Sequence, residues 1–264
     1  MKKYALLGEK LSHSYSPIIH KKIFEAYNID ADYSLLECNK DDLEGIINKL
    51  RTGEYSGFNV TIPYKIEVMK YLDEISDEAK AIGSCNTIAF KDGKVIGYNT
   101  DYFGFYNELV YYNVEVKNKD CYILGTGGAS LALYKALIDM GGKVKYVSRN
   151  PKNSETISYL ELENKNIDLL VNATPVGMSP NIGFSPVKSD IAKRSKYVVD
   201  IIFNPKRTQL LLDANSDMNG LLMLVGQAVK AEEIWQDKKY PLNIIGLLKE
   251  IEAMIWTILV DYLV

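Results

Sequence analysis

Four short strings in the first 104 residues are too polar for simple core strands. Ser12-His13-Ser14-Tyr15-Ser16-Pro17 joins a strand to a helix start. Hydroxyls and free helix N–H groups can converge there on an anion such as a carboxylate. Ser14 and Ser16 make the cradle in that reading; the plainer reading has Ser16 as N-cap, with Pro17 at the first helical position. His13 has no acidic neighbour in sequence and reads as structural. Asn59-Val60-Thr61-Ile62-Pro63-Tyr64-Lys65 places Asn59 and Thr61 on one strand face by period two. Lys65 then falls in the first helical turn after Pro63, where a cation is electrostatically disfavoured; an ordinary surface lysine is the alternative. Gly83-Ser84-Cys85-Asn86-Thr87 is a turn into a strand, and Tyr98-Asn99-Thr100-Asp101 precedes a helix that Asp101 can cap. Capping does not exclude a second role for that carboxylate.

A second chemistry lies further on. Gly125-Thr126-Gly127-Gly128-Ala129 separates the strand Asp120–Leu124 from a helix running to about Met140. Glycines there permit a tight turn and close approach of a pyrophosphate, and the helix start offers N–H donors. Ser130, small enough for close packing, stands where the usual dinucleotide fingerprint has its third glycine. After the next strand, Lys143–Ser148, NAD enzymes usually carry a carboxylate for the ribose 2′-hydroxyl. Here the chain reads Ser148-Arg149-Asn150-Pro151-Lys152, with two cations and no carboxylate. A guanidinium pairs with a 2′-phosphate in a fork, so NADP is expected over NAD.

Strand-like and helix-like stretches alternate, the pattern of an α/β protein. The periodicity gives strands at Lys3–Gly8, Asp32–Cys38, Gly57–Ile62, Asn86–Phe90 and Val95–Asn99, the last two joined across an Asp92-Gly93 hairpin signal. Helices are expected from Ser16 and over Asp41–Leu50. A second unit begins near Tyr102, and its strands continue at Ile167–Asn172 and Tyr197–Ile202, the rhythm of a doubly wound sheet. Leu221–Gln236 and Leu242–Val264 read as two closing helices, and periodicity does not decide which unit they cover.

Composition removes other classes. A chain of 264 residues is long enough for two domains. Lys+Arg 31 against Asp+Glu 34 supplies no basic footprint for nucleic acid. Cys38, Cys85 and Cys121 lie far apart and are odd in number, which argues against a disulfide framework; with only two histidines, no metal site is expected. The apolar run after the N-terminus ends at Gly8, too short for a signal-peptide core. Ile244–Val264 is broken by Lys249, Glu250, Glu252 and Asp261, so it reads as a buried amphipathic helix and not a membrane span. A cytoplasmic protein without membrane or nucleic-acid partners is expected.

Taken in order, HSYSP, NVTIPYK, GSCNTI, YNTD, the GTGGA loop, Ser148-Arg149-Asn150, NATPVGM (172–178), DIIFNP (200–205) and GLLMLVGQA (220–228) resemble the shikimate dehydrogenase family. The resemblance spans nearly the whole chain. It implies an NADP-dependent oxidoreductase interconverting 3-dehydroshikimate and shikimate. It also implies an α/β fold of two domains: an N-terminal α/β substrate domain (1–101 plus 224–264) and a Rossmann-type NADP-binding domain (102–223) with a doubly wound parallel sheet. By matching position, Ser14 and Ser16 hold the substrate carboxylate. Asn59, Thr61, Asn86, Asp101 and Gln227 surround the ring hydroxyls, and Lys65 and Asp101 form the catalytic pair. Cofactor contacts fall to Gly125, Gly127, Gly128, Ala129, Ser148, Arg149, Asn150, Lys152, Thr174 and Gly220. The small-molecule substrate is the one partner implied, for a monomer or a homodimer. Phe203, Leu222 and Glu232 depart from the family's common Tyr, Gly and aromatic residue. Two rival readings stay open: a quinate/shikimate dehydrogenase of broader specificity, and a non-catalytic NADP-binding homologue.

Overall fold

A computed structural model describes residues 1–11, 14–240, 246–247, 249–251 and 253–255. They divide into two compact units: Met1–Thr100 with the chain from Val225 on, and Asp101–Leu224.

The first unit carries β1 (Lys2–Gly8), α1 (Ser16–Tyr27), β2 (Ala31–Glu37), α2 (Leu43–Arg51), β3 (Gly57–Val60), β4 (Glu74–Ile75), α3 (Asp77–Ile82), β5 (Thr87–Lys91) and β6 (Lys94–Tyr98). Its sheet runs β2-β1-β3-β5-β6-β4. β2, β1 and β3 are parallel, and β5 pairs antiparallel with β3 and β6. β3 is buried along its whole length, as parallel strands covered on both faces are. Leu43, Ile46, Ile47 and Leu50 of α2 pack with Leu7, Phe58 and Ile88 in one core. Tyr4, Phe24, Tyr33 and Trp235 belong to a second. Between β5 and β6, Asp92 (φ 50°) and Gly93 (φ 77°) are both left-handed, the geometry an Asp-Gly hairpin turn requires.

The second unit carries α4 (Asp101–Tyr111), β7 (Asp120–Leu124), α5 (Gly128–Asp139), β8 (Lys143–Val147), β9 (Thr156–Ile157), α6 (Tyr159–Leu162), β10 (Leu169–Asn172), α7 (Ser189–Arg194), β11 (Tyr197–Asp200) and α8 (Gln209–Ala214). Its all-parallel sheet has the order β11-β10-β7-β8-β9. The chain moves outward from β7 to β9 and then returns to β10 on the other side. The strand order therefore reverses beside β7, where doubly wound sheets open a ligand crevice at the strand C-termini. α9 (Leu221–Gln236) starts in this unit and ends in the first.

Three local expectations need correction. Tyr15, not Ser16, holds the N-cap position of α1, and its side chain makes no capping bond; Ser16 is the first helical residue. β3 ends at Val60, so Thr61 lies past the strand and does not share its face with Asn59 as a strand residue. No α-helix follows Pro63: Ile62–Ile66 form turns before a short 3₁₀ helix, Glu67–Tyr71. The expected helix start at Lys65 is thus not formed, and the five-residue 3₁₀ piece that follows aligns few peptide dipoles.

Of the closing segment Leu242–Val264, only residues 246–247, 249–251 and 253–255 are described, and they are helical. Leu247, Ile251 and Ile255 are buried at helical spacing; the rest of that expected helix lies outside the described residues, as does His13. Among the described residues, no helix is long and apolar enough to cross a membrane.

Candidate active site

In the first unit, register brings the polar residues together. Asn59 on β3 pairs with Thr87 on β5. Its amide nitrogen donates to the Asn86 carbonyl (3.2 Å) and to Thr87 Oγ1 (3.0 Å), while its Oδ1 accepts from the Tyr33 hydroxyl (2.8 Å). Asn86 Oδ1 accepts from the Thr100 amide (2.7 Å), and Asn86 Nδ2 donates to Thr100 Oγ1 (3.0 Å). Thr100 Oγ1 also donates to Gln227 Oε1 on α9 (3.3 Å). Every member of this network is buried. A buried amide that loses a partner costs about 1–3 kcal/mol, so these side chains are held in one orientation.

Ser14 and Ser16 meet as expected: Ser14 Oγ accepts from the Ser16 amide (3.3 Å) and donates to Ser16 Oγ (3.2 Å). Ser14 thus does the work expected of Ser16, receiving an N–H at the start of α1. Thr61 follows β3 directly, its amide donating to the Leu7 carbonyl (2.9 Å). The Lys65 carbonyl accepts from the Cys85 amide (2.8 Å), which ties the Lys65 backbone beside Asn86. Asp101 is buried and is the first residue of α4, not the residue before it. Its carboxylate lies in the first turn, where negative charge suits the helix dipole, while Thr100 stands one residue ahead.

In the second unit, the glycine loop lies at the switch point. Gly125 has φ +100°, and a Cβ there would press on Thr174 Cγ2 at 3.0 Å and the Ala173 carbonyl at 3.3 Å. Only glycine fits that turn without strain. Gly127 is the N-cap of α5, and a Cβ on it would meet open space, leaving room beside the helix start. Ala129 follows within the first turn of α5. Ser130 is fully buried and donates to the Gly127 carbonyl (2.6 Å), so it packs as the missing third glycine would and also braces the loop. Beyond β8, Ser148 Oγ accepts from the Asn150 amide (3.2 Å), and Arg149 and Lys152 are exposed. This donor set suits a dinucleotide with a 2′-phosphate: amides at a helix start, glycines without Cβ, two cations and no carboxylate within Ser148–Lys152. Thr174 is fixed by Asn172 Oδ1, which accepts from its amide (2.9 Å) and hydroxyl (2.7 Å). Gly220 lies so close to the Ile201 carbonyl that a Cβ would overlap it.

Two carboxyls here were not singled out from the sequence. Asp200, at the end of β11, accepts from Thr208 Oγ1 (2.6 Å), the Ile202 amide (3.0 Å) and Asn172 Nδ2 (3.0 Å). Burial nevertheless raises its pKa to about 6. Glu108 on α4 is wholly buried, and neither of its oxygens makes a hydrogen bond of ordinary geometry. Burial raises it well above the carboxylate range, the Asp200 charge adds to that, and the Met223 amide opposes it. Only the helical spacing Phe105, Glu108, Leu109 hinted that Glu108 faces inward. Both groups bind a proton more tightly in the folded state than in the unfolded chain. Their contribution to stability is present below the ordinary carboxylate range and is lost as pH rises through about 6 and beyond. Glu108→Gln removes one ionisation and keeps the shape. The difference in Tm, variant minus parent, is expected to grow from pH 5 to pH 8 in thermal unfolding; a constant offset would contradict the raised Glu108 pKa.

The chain is similar to several known proteins. The family described as "Shikimate dehydrogenase substrate binding domain" matches residues 6–88. The shikimate dehydrogenase (NADP(+)) of Clostridium beijerinckii is 44% identical over 250 residues, 90% of this chain and 93% of that protein. Shikimate dehydrogenase 1 of Peptoclostridium difficile superposes with a TM-score of 0.88 at 43% identity, covering 96% of this chain and 99% of the other. The Thermus thermophilus shikimate 5-dehydrogenase, solved with NADP(H) and shikimate, gives 0.86 at 28% identity over 96% of this chain and 99% of its own. With its sheet order, its glycine loop and this likeness over nearly its full length, the chain belongs to the shikimate dehydrogenase family.

Proposed function

We propose that this protein catalyses the reversible NADPH-dependent reduction of 3-dehydroshikimate to shikimate. Residues 1–101 with 224–264 form the substrate domain and 102–223 the NADP domain. The observation that carries the reading is the buried Asn59–Thr87–Asn86–Thr100–Gln227 network. It presents fixed amide and hydroxyl groups of the kind that recognise a ring bearing several hydroxyls. Both amide hydrogens of Asn59 are committed inside the protein, so Asn59 meets a substrate hydroxyl as an acceptor. Ser14 and Ser16 hold the carboxylate through their hydroxyls.

Bound NADPH supplies the hydride for the ketone carbon. Gly125, Gly127, Gly128 and Ala129 hold the pyrophosphate against α5, and Arg149 and Lys152 the 2′-phosphate, with Ser148 and Asn150 shaping that turn. Thr174 and Gly220 border the cofactor further along. Lys65 gives a proton to the oxygen as it gains charge, and takes it back in the reverse direction. Asp101 orients the Lys65 ammonium and the substrate hydroxyl. Steady-state NADPH and NADH oxidation with 3-dehydroshikimate and with 3-dehydroquinate tests substrate and cofactor together. NADPH with 3-dehydroshikimate is the pair expected to turn over fastest; equal rates with 3-dehydroquinate would move the protein to a broader quinate/shikimate branch.

A further inference from the structure

One buried polar chain in the first unit is not used by that mechanism. Glu232 on α9 places Oε1 2.7 Å from His20 Nδ1 on α1, and both side chains are fully buried. Glu232 Oε2 accepts from Gln236 Nε2 (3.2 Å), which also donates to the Tyr4 hydroxyl (3.0 Å). The His20 ring lies flat against Tyr33 of β2, with centroids 4.0 Å and planes 7° apart. Tyr33 in turn donates to Asn59 Oδ1 (2.8 Å). Thus the phenol braces Asn59, a residue of the proposed ring set, from inside the core.

Packing alone does not call for this arrangement. A carboxylate and an imidazole are costly to desolvate, and an apolar pair of similar volume in that core is commonly neutral or stabilising. What the pair does provide is a fixed plane for the Tyr33 ring, and hence a fixed position for its hydroxyl. The Asn86 carbonyl fixes the Asn59 amide nitrogen, and the Tyr33 hydroxyl supplies the donor that holds Oδ1 on the other side.

We propose that Tyr33, held in place by the Glu232–His20 pair, is a positioning residue that sets substrate affinity by holding Asn59. The proposal rests on the substrate assignment made above. Tyr33→Phe keeps the ring stack and removes only the hydroxyl. KM for 3-dehydroshikimate is expected to rise about tenfold, the worth of one buried hydrogen bond, with kcat and the KM for NADPH within about twofold. Glu232→Leu is expected to raise the same KM a few-fold in the parent but not in the Tyr33→Phe background, and Glu232→Gln to restore it. A purely structural role would shift Tm and give additive effects. An unchanged KM in Tyr33→Phe, with the parent active, overturns the proposal alone, and that variant decides if Glu232→Leu does not fold. A parent that neither turns over 3-dehydroshikimate nor binds shikimate in calorimetry overturns the substrate assignment and this proposal with it.

Discussion

Lys65→Ala is expected to lower kcat for 3-dehydroshikimate reduction by about 10²–10⁴-fold, the usual worth of a positioned acid or base. KM should stay within a few-fold, because the proton is needed only as charge develops on oxygen. The change itself is structurally mild. Lys65 sits in a turn, half-buried, and its backbone bond to Cys85 does not involve the side chain. Near-parental turnover in Lys65→Ala, measured by NADPH absorbance, would remove Lys65 from the mechanism. A raised KM with unchanged kcat would make it a binding residue only.

Arg149→Ala is expected to reduce the preference for NADPH over NADH by about 10–100-fold, the value of charge-assisted bonds to one phosphate at roughly 1.5–3 kcal/mol. The effect should fall mainly on the KM for NADPH, since NADH lacks the 2′-phosphate. It should shrink at high salt, because Arg149 is exposed and its charge is screened. Stability should hardly change. The turn is kept by the Ser148–Asn150 bond, and Arg149 lies outside the core. Steady-state kinetics with both cofactors checks this, and an unaltered preference would show that the cation pair is a solvated turn.

Legibility in the sequence followed the range of the interactions. α9 runs from Leu221 to Gln236 as its periodicity indicates, and the Asp92-Gly93 turn and glycine loop fall where local chemistry demands them. The two-residue β4 is too short to show a period, and its existence depends on pairing with β6. Ser16 and Ser14 were both visible as hydroxyls near a helix start, but which one receives the amide depends on a one-residue shift of that start. Asn59, Asn86 and Gln227 were legible as polar residues in odd places. Their commitment to Thr87, Thr100 and Tyr33 needed the strand register. The His20–Glu232 contact joins residues 212 apart in sequence, and no local pattern marks either as a partner of the other. Glu232 was visible only as a departure from an expected aromatic residue.

Incubating the protein with NADPH and 3-dehydroshikimate, then separating and identifying the products, tests the central claim most directly. The account predicts shikimate formed one for one with NADPH consumed, and no consumption when 3-dehydroshikimate is omitted. NADPH that binds but is not consumed, with 3-dehydroshikimate recovered unchanged, would contradict it and leave a cofactor-binding protein without this reaction.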